Sequence, residues 1–306
     1  MLTNIEKKIL EEIVDNHSVE QVAYNLRKNG EGSERVNDID INISTKKDKP
    51  GIDVNIKPGT KNKSVHIPVI VSKSGLNDMV YNTFNVGENS DVLIVAGCGI
   101  HNPGDEKSQH DGVHEFFIGK NSKVKYTEKH YAQGTGKGLN VLNPKTIIEV
   151  FENAILEMDL VQIKGVDDTT RDTQVILHDG AKLIVSERLF TDYNQKSVSN
   201  IVIDLEGNNS SAQIISRSVA RGNSEQVYNF NVKGKNKCAG HIQCDAIIMD
   251  HAKVTSLPAI TALHEDAQLI HEAAIGKIAS DQLIKLMSLG LTEEEAENKI
   301  LEGFLK

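Results

Sequence analysis

Gly87-Glu88-Asn89-Ser90-Asp91-Val92-Leu93-Ile94-Val95 joins a tight polar corner to a β-rich run, and this unit recurs along the chain. The corners Gly119-Lys120-Asn121-Ser122, Phe151-Glu152-Asn153-Ala154, His178-Asp179-Gly180-Ala181, Gly207-Asn208-Asn209-Ser210 and His264-Glu265-Asp266-Ala267 repeat its shape. Several lead into short β-rich runs, such as Lys123-Val124-Lys125-Tyr126, Lys182-Leu183-Ile184-Val185 and, after Gly207–Ser210, Gln213-Ile214-Ile215-Ser216. The first four corners begin at 87, 119, 151 and 178, a nearly regular interval. A turn-then-strand unit at such an interval is the mark of a solenoid, in which each coil buries its inner face only against its neighbours. Small residues at the corners permit the tight bends. These features predict a mainly β chain folded as a right-handed parallel β-helix, with an antiparallel sandwich as the weaker alternative.

Outside this region the periodicity changes. Thr3-x-x-Glu6 reads as a capping box before Ile5, Ile9 and Ile13, which share one helical stripe. A second helix is expected from Ser18, with Gln21 three residues on and Val22, Ala23 and Leu26 on one face, ending near Gly30. The expected organisation is a helical segment over 1–35, a β-helix core over 36–278 with a linker at 36–64, and a helical hairpin over 279–306. In that hairpin Leu283, Leu286 and Met287 share a face, Gly290 ends the first helix, and Thr292-x-x-Glu295 caps the second, which carries Ala296, Ile300 and Phe304. This apolar surface suits a docking element formed by Leu283, Leu286, Met287, Ile300 and Phe304.

Composition narrows the function. A net charge of −9 argues against nucleic-acid binding, which needs clustered Lys and Arg. Aromatics make up 4% of the chain and tryptophan is absent, which disfavours a stacking surface for bases or sugars. No apolar run reads as a signal peptide or a membrane span, and three cysteines suit a reducing cytoplasm. Gly134-Thr135-Gly136-Lys137-Gly138 fails as a phosphate loop, because Tyr131 and Gly138 stand where glycine and a hydroxyl residue are required. His114-Glu115 and His271-Glu272 lack the second histidine of a zinc-protease helix. The chain is therefore expected to be no enzyme and to bind no nucleotide of its own.

The remaining chemistry lies in thiols, imidazoles and carboxylates. Cys98 follows the apolar run from Val92, and Cys244 lies in Gln243-Cys244-Asp245 with Cys238 six residues earlier. His271-Glu272 follows Cys244 by 27 residues, about one coil, so stacking would bring it within about 4.8 Å of the cysteine's coil. Thiolate, imidazole and carboxylate together suit iron. Three cysteines cannot form a four-thiolate cage, which fits a cluster held only transiently.

His271-Glu272-Ala273-Ala274-Ile275-Gly276-Lys277-Ile278, Asp281-Gln282-Leu283, Leu286-Met287-Ser288-Leu289-Gly290-Leu291-Thr292-Glu293-Glu294-Glu295-Ala296 and Glu302-Gly303-Phe304-Leu305 together resemble the C-terminal signature of the SufB/SufD family of iron–sulfur cluster assembly scaffolds. The resemblance implies the same β-helix. It also implies that Gly97-Cys98 accepts sulfur and that Gln243-Cys244-Asp245 assembles the cluster with His271 and Glu272. His110 and Val124-Lys125-Tyr126 follow the family's pattern downstream of Cys98. The chain departs from it at Ala96, where the family has Glu, and in its shorter N-terminal region. Cys238, His101 and His110 are further candidate ligands, and His114 and His130 read as solvated residues. By resemblance the partners are a SufC-like ABC ATPase on the 279–305 hairpin, a cysteine desulfurase or similar sulfur donor, and recipient apoproteins. The scaffold would pair as a homodimer through 236–262 or with a SufB/SufD paralogue. The alternatives are a SufD-like structural partner without cluster chemistry and a carbohydrate-binding β-helix.

Overall fold

The computed structural model describes residues 2–14 and 23–306. The chain runs α1 (Asn4–Ile13), β1 (Ala23–Lys28), β2 (Glu31–Val36), β3 (Ile41–Thr45), β4 (Gly51–Ile56), β5 (Lys61–Val71), β6 (Asn77–Val86), β7 (Asp91–His101), β8 (Ser108–Ile118), β9 (Lys123–Gln133), β10 (Asn140–Leu142), β11 (Lys145–Val150), β12 (Ile155–Lys164), β13 (Asp168–Leu177), β14 (Lys182–Thr191), β15 (Lys196–Leu205), β16 (Ser210–Ala220), β17 (Glu225–Gly234), β18 (Cys238–Ile248), β19 (Lys253–Ala262), β20 (Gln268–Gly276), α2 (Ser280–Ser288) and α3 (Glu293–Phe304). From β5 onward the chain alternates between two sheets. One is ordered β2-β1-β5-β7-β9-β12-β14-β16-β18-β20, the other β19-β17-β15-β13-β10-β8-β6-β4-β3, with β11 beside β8 and β13. The result is a two-sided β-solenoid of about eight turns. Pairing is parallel throughout except in the hairpins β1–β2 and β3–β4 at its N-terminal end.

The corners explain the stacking. Asn89, Asn121, Asn153 and Asn209 have φ of 57°, 56°, 58° and 58°, and Gly180 has 66°. Asparagine and glycine enter this left-handed region at low cost, so each turn reverses within a few residues. The small residue that follows (Ser90, Ser122, Ala154, Ala181 or Ser210) is buried at the corner of the coil. Along each strand alternate residues then point inward, and Val92, Val124, Leu156, Leu183 and Ala212 stack into one shared core.

The N-terminal region differs from the sequence expectation. Ala23 and Leu26 lie in strand β1, not in a helix; Ser18, Gln21 and Val22 fall outside the described residues. Both faces of β1 are covered, Ala23 by the luminal core and Tyr24 and Leu26 by α1. Apolar residues on both faces of a buried strand imitate a helical stripe. Residues 41–56, read as part of a linker with some irregular strands, form the regular strands β3 and β4, whose Ile41, Ile43, Ile52, Val54 and Ile56 join the luminal core. Helix α1 keeps its Thr3–Glu6 capping box. It packs on the outer face of β7, where a Cβ on Gly97 would stand 2.6 Å from the Ile13 carbonyl and one on Gly99 2.1 Å from Ile9. At the C-terminal end α2 and α3 fold back on the wall. Phe304, Ile300 and Leu283 pack around Val219, Ile247, Ile278 and Leu301.

Candidate functional site

Cys98 points into the lumen from β7, opposite Val69 on β5 and His130 on β9. Facing it from the other sheet, Asp78 and His110 are paired neighbours. Arg27 grips Asp78 with two bonds of 2.9 and 2.6 Å, and His110 Nδ1 stands 3.0 Å from Asp78 Oδ2. On the far side of the thiol, His130 Nε2 lies 2.9 Å from Glu128, which accepts from Arg171 at 2.8 Å and from the Tyr126 hydroxyl at 2.6 Å. Arg171 reaches Glu187 at 3.7 Å, and Glu187 accepts from Ser199 at 2.7 Å and Ser216 at 2.9 Å. Ser216 sits directly opposite Cys244. A column of buried polar groups of alternating sign thus runs from the N-terminal end of the lumen to Cys244.

Buried charges persist only when paired, and here each has a partner of opposite sign. Burial pushes the Cys98 thiol up, but His110 and His130 beside it more than reverse this and bring it down to about 7. Burial likewise opposes the imidazolium of His110, which Cys98 and Asp78 raise well above the ordinary histidine range. His130 is raised despite burial, chiefly by Glu128. Against its own burial, the Glu128 carboxyl is held well below the usual range, first by Arg171 and then by His130. His114 goes the other way: burial takes it down to about 4 and leaves it neutral, 3.4 Å from Asn82. His114 and His130, expected in solvent, are only 5% and 4% exposed, because inward parity overrides their polarity. A void of about 10 Å³ between Arg171 and Glu187 holds at most one water, so the column is packed rather than an open channel.

Cys244 is also buried, on β18, yet its thiol is pushed up to about 11 by burial and further by Glu187 and Asp245, with Ser256 acting in the opposite direction. The coil here is two residues longer than the 27-residue spacing assumed, so Ala273 and not His271 stands opposite Cys244. His271 is opposite Ile242 on the same luminal face. Its Nε2 is buried without a hydrogen-bond partner among the described residues, and burial lowers its pKa, which favours a neutral ring able to donate a lone pair. Glu272, the next residue on the strand, must face outward, and it lies 3.6 Å from His241. Among the described residues no three His, Cys, Asp or Glu side chains converge to hold a metal ion. Within one chain Cys244 and His271 share a face and Glu272 does not.

The other candidates spread out. Cys238 is buried in the luminal core six residues before Cys244 on the same strand, roughly 20 Å away. His101 ends β7 with the opposite parity to Cys98. In the hairpin, Leu283, Ile300 and Phe304 pack toward the solenoid wall and Leu286 is half-buried. Met287 remains exposed together with Ile284 and Leu289, which the sequence reading missed. It also missed Glu128, Arg171 and Glu187. Their signal was parity: counting by twos from Val124 and Tyr126 places Glu128 and His130 inside.

Residues 70–304 match the family description "SUF system FeS cluster assembly, SufBD core domain". An iron–sulfur cluster assembly SufBD family protein of Archaeoglobus fulgidus is 31% identical over 261 residues, covering 81% of this chain and 66% of the relative. Relatives carrying that family name in Methanocaldococcus jannaschii and Methanothermobacter thermautotrophicus are 27% and 26% identical, covering 82% and 83% of this chain and 79% and 62% of their own lengths. No helix among the described residues is long and apolar enough to cross a membrane. A match over most of the chain, with the luminal thiols in a β-solenoid, places this protein in the SufBD family of iron–sulfur cluster assembly.

Proposed function

We propose that this chain is the scaffold subunit of a SUF-type assembly complex, accepting sulfur at Cys98 and building an iron–sulfur cluster at Cys244 and His271 as cargo for apoproteins. The observation that carries this reading is the polar column between the two thiols. Such a run of paired charges inside a solenoid adds little stability over apolar packing, and its presence calls for a functional reason. Five strand spacings separate β7 from β18, roughly 24 Å, which no single thiol-to-thiol transfer spans. Sulfur bound to Cys98 therefore reaches Cys244 as hydrosulfide, released as two external thiols become a disulfide and Cys98 returns to its thiol, or after the coil stack opens.

The ligand set is incomplete in one chain, which favours its completion by a second copy or a paralogue. The last coil is open at that end: Leu257, Ile260, Leu263, Ile270 and Ile275 are exposed, and β19 and β20 end their sheets. An exposed apolar sheet end of this kind is a site for strand-to-strand association. In this reading a SufC-like ABC ATPase docks on the outer side of α2 through Ile284, Met287 and Leu289, and supplies the work of opening the stack. A cysteine desulfurase or similar donor supplies the sulfur. The test is anaerobic reconstitution of the full chain, with its ATPase, using iron and sulfide. Wild type gains a visible absorption band with matching iron and sulfide content, whereas Cys244→Ser and His271→Ala lose most of it. Undiminished spectra in both variants overturn the assignment.

A further inference from the structure

Helix α1 seals the outer face of β7, with Ile13 and Ile9 against Gly97 and Gly99. Cys98 points the other way, so anything that reacts with the thiol must arrive from the lumen. At the N-terminal end of the lumen, between β1 and β4, lies a cavity of about 170 Å³. Arg27, Arg35, Asn25, Asn82, Gly32 and Val69 are among its lining residues, and no carboxylate is. Arg27, Val69 and Cys98 succeed one another along a single inward-facing column of β1, β5 and β7. The cavity floor is therefore one strand spacing from the thiol, and the Arg27–Asp78–His110 chain links its wall to the ring beside Cys98.

The two arginines differ. Arg27 is neutralised by Asp78, whereas Arg35 donates its Nε to Asn25 at 2.9 Å and makes no ion pair among the described residues. Arg35 is exposed on the edge strand β2, so its guanidinium stands at the cavity mouth, where it can steer a carboxylate inward. We propose that this cavity admits a small carboxylate-bearing persulfide, the size of a persulfidated amino acid, to Cys98. The proposal rests on the reading of Cys98 as the sulfur acceptor.

The chemistry fixes the ligand class. Hydrosulfide and a thiol form a persulfide only with an oxidant, but a persulfide R–S–SH already carries sulfane sulfur. The Cys98 thiolate attacks the outer sulfur; a Cys98 Sγ–S bond forms as the S–S bond of the donor breaks. The departing RS⁻ takes the proton that His110 carries, giving RSH, a neutral imidazole and Cys98–S–SH with no net oxidation. The cavity ends at Arg27 and Val69, so with the carboxylate steered by Arg35 the sulfur end reaches the thiol only when the Arg27–Asp78 pair gives way.

Two substitutions test this without touching Cys98 or its neighbours. A side chain at Gly32 meets nothing within 4 Å at its Cβ, so Gly32→Trp fills the cavity without distorting β2, and Arg35→Glu reverses its charge. The full chain is incubated anaerobically with cysteine persulfide, and sulfur on the Cys98 peptide is followed by mass spectrometry. Sulfur addition is expected to slow about tenfold or more in both variants, as lost steering and access require. Iodoacetate and iodoacetamide provide a second reading: the charged-to-neutral rate ratio at Cys98 should fall several-fold in Arg35→Glu. Wild-type rates and ratios in both folded variants overturn the access route while leaving Cys98 as acceptor. A wild-type Cys98 that iodoacetamide alkylates but the persulfide leaves unmodified overturns both.

Discussion

Cys98 and Cys244 are both less than 9% exposed and both face the lumen, yet their thiols move in opposite directions, to about 7 and about 11. Burial raises both, so the difference comes from their neighbours. Cys98 lies between two imidazoles, each held by a carboxylate; Cys244 faces Ser256 and the charges of Glu187 and Asp245. The first thiol is a nucleophile closed in by its surroundings. The second is a protonated thiol near an open end, and a metal cation binding there would have to displace its proton. One lumen thus presents a reactive end and a receptive end, and the ion column between them keeps the two environments apart.

Breaking that column should have the largest effect. Arg171 is 5% exposed and lies between Glu128 and Glu187, so Arg171→Met leaves Glu187 without a cation and Glu128 with His130 alone. A loss of about 3–5 kcal/mol in unfolding free energy is expected from chemical denaturation. Adding Glu128→Gln and Glu187→Gln should recover most of it, because neutral amides no longer need the cation. If Arg171→Met costs under about 1 kcal/mol, the column is solvated and the contrast between the two thiols loses its physical basis.

The thiols themselves give the next test. At pH 8 the thiolate fractions that follow from about 7 and about 11 differ by roughly three powers of ten. Alkylation of Cys98 by a small neutral reagent should rise through pH 7 and level off, whereas that of Cys244 should still be rising above pH 10. His110→Ala removes the imidazolium that stabilises the Cys98 thiolate, and should shift the Cys98 profile to higher pH and leave that of Cys244 in place. Coincident profiles for the two cysteines in wild type would sharpen the comparison to burial alone.

The solenoid was legible because its corners are written locally: an asparagine or glycine able to adopt positive φ, then a small residue, at a repeating distance. The two thiols were legible through resemblance. Parity was harder to read. His271-Glu272 looks like one ligand unit, but adjacent residues on a strand face opposite ways, and the 29-residue offset of this coil moves His271 from Cys244 to Ile242. Arg171 and Glu187 went unnoticed because Asp168–Leu177 and Lys182–Thr191 each mix inward and outward polar residues. Only knowing which sheet faces which lets the inward ones meet.

The smallest effect concerns the covering helix. In Gly99→Ala the added Cβ would stand 2.1 Å from the Ile9 side chain, closer than any ordinary contact, so α1 must lift slightly from β7. Overpacking of this kind costs about 1–2 kcal/mol. Its consequence stays on the outer face of the wall: Cys98 points into the lumen from the neighbouring position of β7 and Cys244 lies on the far coils, so neither thiol gains a new approach. Alkylation of both cysteines should keep the wild-type rate, and the Gly32→Trp block should hold when the two substitutions are combined. If Gly99→Ala quickens Cys98 alone while thermal unfolding registers the strain, the outer face gives access to the thiol, and the reactivity of Cys98 is not set from within the lumen alone.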